Sequence, residues 1–318
     1  QTLLLIRAAA KSGADAAKFQ LVYADELSTP DYEHYKLFKS LEMPDEDWVK
    51  LNTYAAQNNI ELQVDIFGEK SLALAEKIGI KTVKIHCTDI NNIDLLEKLS
   101  ASKIERILLG VGGAHDEEIR KALHILENKN LVLLLGFQGY PTENQDNQID
   151  RVRLFNELFK SSANKHIEIG FADHATPDTA LRFSIAATSL GAGARVIEKH
   201  LTLGQIMELE DFESALNPDV FSEFVSTIKA CYSALGHSTR TLDFGMSERE
   251  NRYRENVRRH VVAKNDLKKG HKIQPHDLVF KRTSSKQYIS DIQSVYEKVL
   301  VDDVKANHPI TANIIENI

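Results

Sequence analysis

Cysteine is scarce. Of 318 residues only Cys87 and Cys231 carry a thiol, and neither sits in a metal-binding or redox spacing. A disulfide framework and a cysteine-built cluster are thereby excluded, and a reducing, cytoplasmic setting is expected. Long apolar runs are also missing. No stretch approaches the roughly 20 residues that a membrane helix needs, so no span is expected. Positive charge is not in excess either: the net charge is −7, which removes the electrostatic reason to expect nucleic acid. A dinucleotide fingerprint is absent, since no G-x-G-x-x-G occurs. Gly110-Val111-Gly112-Gly113 reads as a tight strand–helix turn before it reads as a phosphate cradle.

What is present is the composition of an ordinary globular protein, at a length that suggests one large unit and a small one. Seven short β-branched or apolar runs recur: Ala16–Gln20, Glu61–Ile66, Thr82–Cys87, Arg106–Val111, Leu131–Leu135, Ile167–Ala172 and Arg195–Leu201. Helical patterns alternate with them at Trp48–Asn58, Lys70–Ile78, Ile93–Leu99, Asp116–Glu127, Asp150–Ser161 and Asp178–Ser189. Such alternation indicates repeated βαβ units and a parallel sheet. The reading that follows is an α/β fold, a (β/α)8 TIM barrel, with a doubly wound open sheet as the alternative. Seven strands are one short of closure, and a helix-like segment at Leu3–Lys11 precedes the first of them. The expectation is therefore that strand one lies upstream of Gln1. Residues 1–236 form the barrel, 237–256 a polar linker with a short helix near Ser247–Tyr253, and 257–318 a small strand-rich domain.

Polar residues gather at the strand ends, where a barrel builds its active site. His174 follows one strand and His200 ends the next, so the two imidazoles can reach one divalent metal. Asp211 could complete a mixed nitrogen–oxygen shell suited to manganese. Lys18 and Gln20 alternate with Phe19 and so share a strand face. Lys18 can meet a carboxylate or phosphate as a mobile point charge, or it can snorkel at a barrel rim. Lys84 admits the same two readings.

These pieces resemble the N-acetylneuraminate (sialic acid) synthase family. Gly13-Ala14-Asp15-Ala16-Ala17-Lys18-Phe19-Gln20 looks like its "GADAVKFQ" strand. Phe171–Thr176 is similar to "LSDHT", Ile197–Thr202 to "xExHxT", and Ser214–Phe221 to the stretch after the metal site. Arg258–Ala263, with Asp266–Gly270 and Val279–Arg282, is similar to the start of the antifreeze-like (SAF) β-clip domain. The resemblance implies condensation of phosphoenolpyruvate with N-acetylmannosamine or a related amino sugar, for surface polysaccharide. It implies a divalent ion, Mn2+ or Mg2+, on His174 and His200. Lys18 and Glu198 are the implied catalytic residues. Lys18, Gln20, Lys84, Tyr140 and Asp211 are the implied substrate contacts. Arg282 would reach the sugar site of a neighbouring subunit in a domain-swapped homodimer.

Several positions depart from that family. Nothing matches its first strand, with a glutamate and an Asn-His-x-Gly turn. Asp65, Cys87, Gly110, Gln138 and Ala172 stand where family members carry small hydroxyl or amide residues that hold the phosphate. Asp65 would set a negative charge near a phosphate, which is unfavourable at short range. Leu209-Glu210-Asp211-Phe212 replaces "G-P-D-H", and Arg282-Thr283-Ser284-Ser285 lacks the "R-P-G-x-G" loop. Two alternatives accompany the synthase reading: a sugar-binding barrel that has lost condensation, and a metal-dependent aldolase.

Overall fold

The structure is a computed structural model that describes residues 1–136, 139, 141–159, 166–236 and 241–316. The chain divides into two compact units, Gln1–Gly236 and His237–Ile318.

The first unit is a parallel sheet of eight strands in sequential order: β1 (Ala16–Gln20), β2 (Glu61–Asp65), β3 (Thr82–Ile85), β4 (Arg106–Gly110), β5 (Asn130–Leu135), β6 (Ile167–Asp173), β7 (Val196–Leu201) and β8 (Ala215–Leu216). Seven of these are the runs identified from sequence, so the count of seven is corrected by one. The eighth is two residues long, too short for periodicity to register. No β8–β1 ladder occurs among the described residues. The sheet nevertheless curls. β1 and β7 lie six strands apart, which in a flat sheet would be roughly 29 Å at the usual inter-strand spacing of about 4.8 Å. Lys18 Nζ on β1 lies 3.7 Å from Glu198 Oε2 on β7. Only a TIM-like curvature brings those side chains together.

Helices cover the outside. The helix Asp45–Gln57 starts after Pro44 with Asp45, Glu46 and Asp47 in its first turn, where the helix dipole favours negative charge. It buries Trp48, Leu51 and Ala55, one stripe at helical spacing. The central strands are apolar on both faces, as parallel strands between helices and a filled interior should be: all of β3 and nearly all of β5 are buried. One predicted helix is shorter than its pattern. The segment expected to be helical from Asp178 forms turns until Ser184, and the helix there is Ser184–Gly191. The hydroxyls of Thr176 and Thr179 accept from the backbone N–H of Asp178 and Leu181, a local alternative to helical bonding.

Glycine at the end of β4 answers to packing. A Cβ on Gly112 would lie 2.0 Å from the carbonyl oxygen of Gly136, which only a hydrogen atom can tolerate. The Gly110–Gly113 stretch is thus a place where neighbouring backbones approach closely.

The second unit contains the helix Glu248–Val257 and an antiparallel pair, β9 (His260–Ala263) with β10 (Leu278–Lys281). Isolated bridges such as Val262–Pro309 and Leu267–Val304 complete its meandering strand pairing. Its own core gathers Val261, Leu267, Ile273, Leu278, Val295, Leu300 and Ile310. Among the described residues of both units, no helix is long and apolar enough to cross a membrane.

Candidate active site

Side chains alternate across a strand, so every second residue of β1, β2, β3 and β7 points to the same side. Lys18, Asp65, Lys84 and Glu198 meet there, near the C-terminal ends of their strands. Lys18 Nζ donates to Asp65 Oδ1 at 2.7 Å, and Lys84 Nζ donates to Glu198 Oε1 at 2.6 Å. His86, one pleat beyond Lys84, places its Nε2 3.0 Å from Asp65 Oδ2. The resulting chain of contacts runs His86–Asp65–Lys18–Glu198–Lys84 and is almost withdrawn from water. Side-chain exposure is 1% at Asp65, 5% at Lys84, 16% at Glu198 and 19% at Lys18.

The cluster sets its own protonation. Burial by itself would push the Asp65 carboxyl up, but Lys18, Lys84 and His86 override it and hold Asp65 below the usual carboxylate range. Glu198 behaves alike: burial raises it, and Lys18 with Lys84 bring it well below its ordinary value. Burial opposes the charge on Lys84, yet Glu198 and Asp65 raise its pKa. The Lys84 ammonium and the Asp65 and Glu198 carboxylates coexist as ions.

His174 follows β6, and His200 stands two residues past Glu198 on the same face of β7. Their ring centroids are 5.3 Å apart with the planes tilted by 46°. Burial first, and then His174, lowers the pKa of His200 to about 3, so its ring stays neutral with a lone pair available to a metal. Asp211 Oδ2 lies 3.9 Å from His200 Nδ1, on a residue at φ +61°. Burial, with Glu210 and Glu213 beside it, raises the Asp211 pKa. Among the described residues no three His, Cys, Asp or Glu side chains are already gathered as a metal cage. Two imidazoles on adjoining strand ends do fit an ion whose other positions are filled by water or substrate oxygens.

The strand ends that carry the histidines are tied from behind. Lys199 and Asp173, which point away from the cluster, form an ion pair of 3.1 Å with 1% and 0% exposure. Lys199 also donates to the Ala175 carbonyl at 2.8 Å, and Asp173 accepts from the Ala175 N–H at 2.8 Å. The Ser214 hydroxyl donates to the His174 carbonyl at 2.8 Å.

Of the residues expected from sequence, the fold brings together Lys18, Lys84 and Glu198, and it sets His174, His200 and Asp211 in a second group. Gln20 sits at the exposed end of β1, in register with Asp65. Arg282 belongs to the second unit, where its Nε donates to the Val257 carbonyl at 3.2 Å. Tyr140 and Gln138 lie outside the described residues. Sequence reasoning missed His86 and the Lys199–Asp173 pair. The signal for His86 was parity, since it shares a strand face with Lys84.

A curled parallel sheet with charged strand ends and a histidine pair at its mouth defines a TIM-barrel-like fold with a candidate active site at the C-terminal ends of its strands. The comparisons make this specific. Residues 5–240 match the NeuB family and residues 258–316 match the SAF domain, and the chain belongs to the NeuB family. An uncharacterized protein of Methanocaldococcus jannaschii is 31% identical over 281 residues, covering 87% of this chain and 79% of its own. The N,N'-diacetyllegionaminic acid synthase of Legionella pneumophila is 27% identical over 312 residues, covering 92% and 83%. Among solved structures, the N-acetylneuraminic acid synthetase of Leptospira borgpetersenii, in complex with citrate, superposes with a TM-score of 0.70. It is 25% identical, with 80% of this chain and 85% of that one covered.

Proposed function

We propose that the chain is a sialic-acid-type synthase that condenses phosphoenolpyruvate with N-acetylmannosamine or a related amino sugar to give a nine-carbon 2-keto acid. One observation carries the reading. Lys18, Lys84 and Glu198, from three separated strands, converge at the C-terminal mouth that also holds His174 and His200.

In this reaction the C3 carbon of the enol phosphate bonds to the aldehyde carbon of the open-chain sugar. Water then adds at C2, and phosphate leaves by C–O cleavage as the ketone forms. A divalent ion, manganese or magnesium, held by His174 and His200 would supply Lewis acidity to the sugar aldehyde. Lys18 and Lys84 are the groups that meet the anionic donor, and Lys18 offsets the negative charge on the departing phosphate. Glu198, held ionised by both lysines, accepts a hydrogen bond from the attacking water and orients it, and the proton that water releases leaves with the phosphate. Asp211, beside His200, orients the sugar and Gln20 contacts the donor, while Tyr140 is a substrate contact by family resemblance alone. Arg282 reaches the sugar of a neighbouring subunit, which makes the working unit a domain-swapped homodimer.

The test is incubation of the protein with manganese, phosphoenolpyruvate and a panel of hexosamines. Phosphate release with one sugar and a matching 2-keto acid by mass spectrometry supports the proposal. Absence of release with every sugar, on metal-loaded protein, sinks it. A second reading draws on Asp65, which already occupies Lys18: a sugar-binding barrel without condensation. It calls for ligand-induced stabilisation with no turnover, unchanged by His174→Ala or His200→Ala. Turnover that requires metal but not phosphoenolpyruvate would instead mark an aldolase.

A further inference from the structure

The lysines at the mouth of the barrel are balanced by carboxylates. Its two ammonium groups are each matched by a carboxylate, Lys18 by Asp65 at 2.7 Å and Lys84 by Glu198 at 2.6 Å. An anion entering such a site meets a compensated field, not an excess of positive charge. The two carboxylates differ in freedom. Glu198 has two methylenes and 16% exposure, whereas Asp65 has one and is 1% exposed. His86 also grips Asp65 from the side opposite Lys18. Asp65 is therefore the more firmly held of the two, and an anion that approaches Lys18 comes close to a negative charge. That repulsion grows with the charge of the ligand.

We infer that Asp65 is a charge-selectivity residue: by holding Lys18 it weakens the binding of phosphate dianions and spares small carboxylates. The inference rests on the reading that Lys18 and Lys84 meet an anionic donor. It narrows that reading to a synthase working at high donor concentration, with phosphate a poor product inhibitor.

Binding can be measured without turnover, by calorimetry on the whole chain with inorganic phosphate, phosphoenolpyruvate and pyruvate at matched ionic strength. Asp65→Asn and Asp65→Ser are expected to bind phosphate and phosphoenolpyruvate at least about ten-fold more tightly than the unaltered protein, with pyruvate gaining less than about three-fold. Adding Lys18→Met to Asp65→Asn should abolish the gain. Folded variants that bind phosphate no better overturn the inference, which leaves Asp65–Lys18 as a structural ion pair. The unaltered protein offers a check free of folding effects. It should bind inorganic phosphate no more tightly than about millimolar. Micromolar phosphate binding by the unaltered protein overturns the inference as well. Tighter phosphate binding by Asp65→Asn without turnover in either protein would retain the inference and discard the condensation. Turnover with a phosphoenolpyruvate KM unmoved by Asp65→Asn would do the reverse.

Discussion

Lys199→Met removes an ammonium group from a pair that water does not reach. Asp173 would keep one hydrogen bond, from the Ala175 N–H, while its Oδ2 already lacks a partner among the described residues. Leaving a buried carboxylate without its counter-ion costs about 3–5 kcal/mol. The lost bond to the Ala175 carbonyl belongs within that range rather than on top of it. The double variant Lys199→Met/Asp173→Asn carries no unpaired charge and should recover much of the loss, giving a coupling of about 2 kcal/mol or more. Urea unfolding followed by tryptophan fluorescence suits the measurement. The sole tryptophan, Trp48, is 1% exposed and lies in the barrel unit, so its signal reports that unit. A Lys199→Met protein within about 1 kcal/mol of the parent, or a coupling near zero, would refute the argument that this pair is buried and isolated.

Three further outcomes are expected. Asp65 and Glu198 have folded pKa values below their unfolded ones, so their contribution is complete above the unfolded range near pH 4 and fades as pH falls through the folded values. Acid unfolding of Asp65→Asn, monitored by circular dichroism, should accordingly show a shallower loss of stability below about pH 4. Gly112→Ala forces a Cβ onto the Gly136 carbonyl and should cost about 1–3 kcal/mol in a denaturant melt; a cost below about 0.5 kcal/mol would deny that close approach. His174→Ala and His200→Ala should each weaken manganese binding by at least about ten-fold by calorimetry, and chelation should stop phosphate release from the parent; unaltered manganese binding would remove the histidines from the metal.

Much of the fold was legible because it is written in local patterns. Seven strands are apolar runs bounded by turns, and the helix Asp45–Gln57 shows its buried stripe and its acidic first turn in the letters themselves. β8 escaped because two residues carry no periodicity, and Ser184–Gly191 was overextended because two threonine hydroxyls compete for backbone donors. The candidate site was legible as a set of residue types at strand ends, and Lys18, Lys84, Glu198, His174 and His200 could all be named from motif and parity.

Pairing was a different matter. Lys84 and Glu198 are 114 residues apart, and Lys18 and Asp65 are 47 apart. No local rule says which ammonium meets which carboxylate. Sequence by itself determined the alternation of strands and helices, the family, and the presence of lysines, carboxylates and histidines at the strand ends. The curl of the sheet decided the rest. It folded β1 against β7, enclosed the charges where water cannot screen them, and so made Asp65 an ion bound to Lys18 rather than a neutral acid beside a vacant lysine.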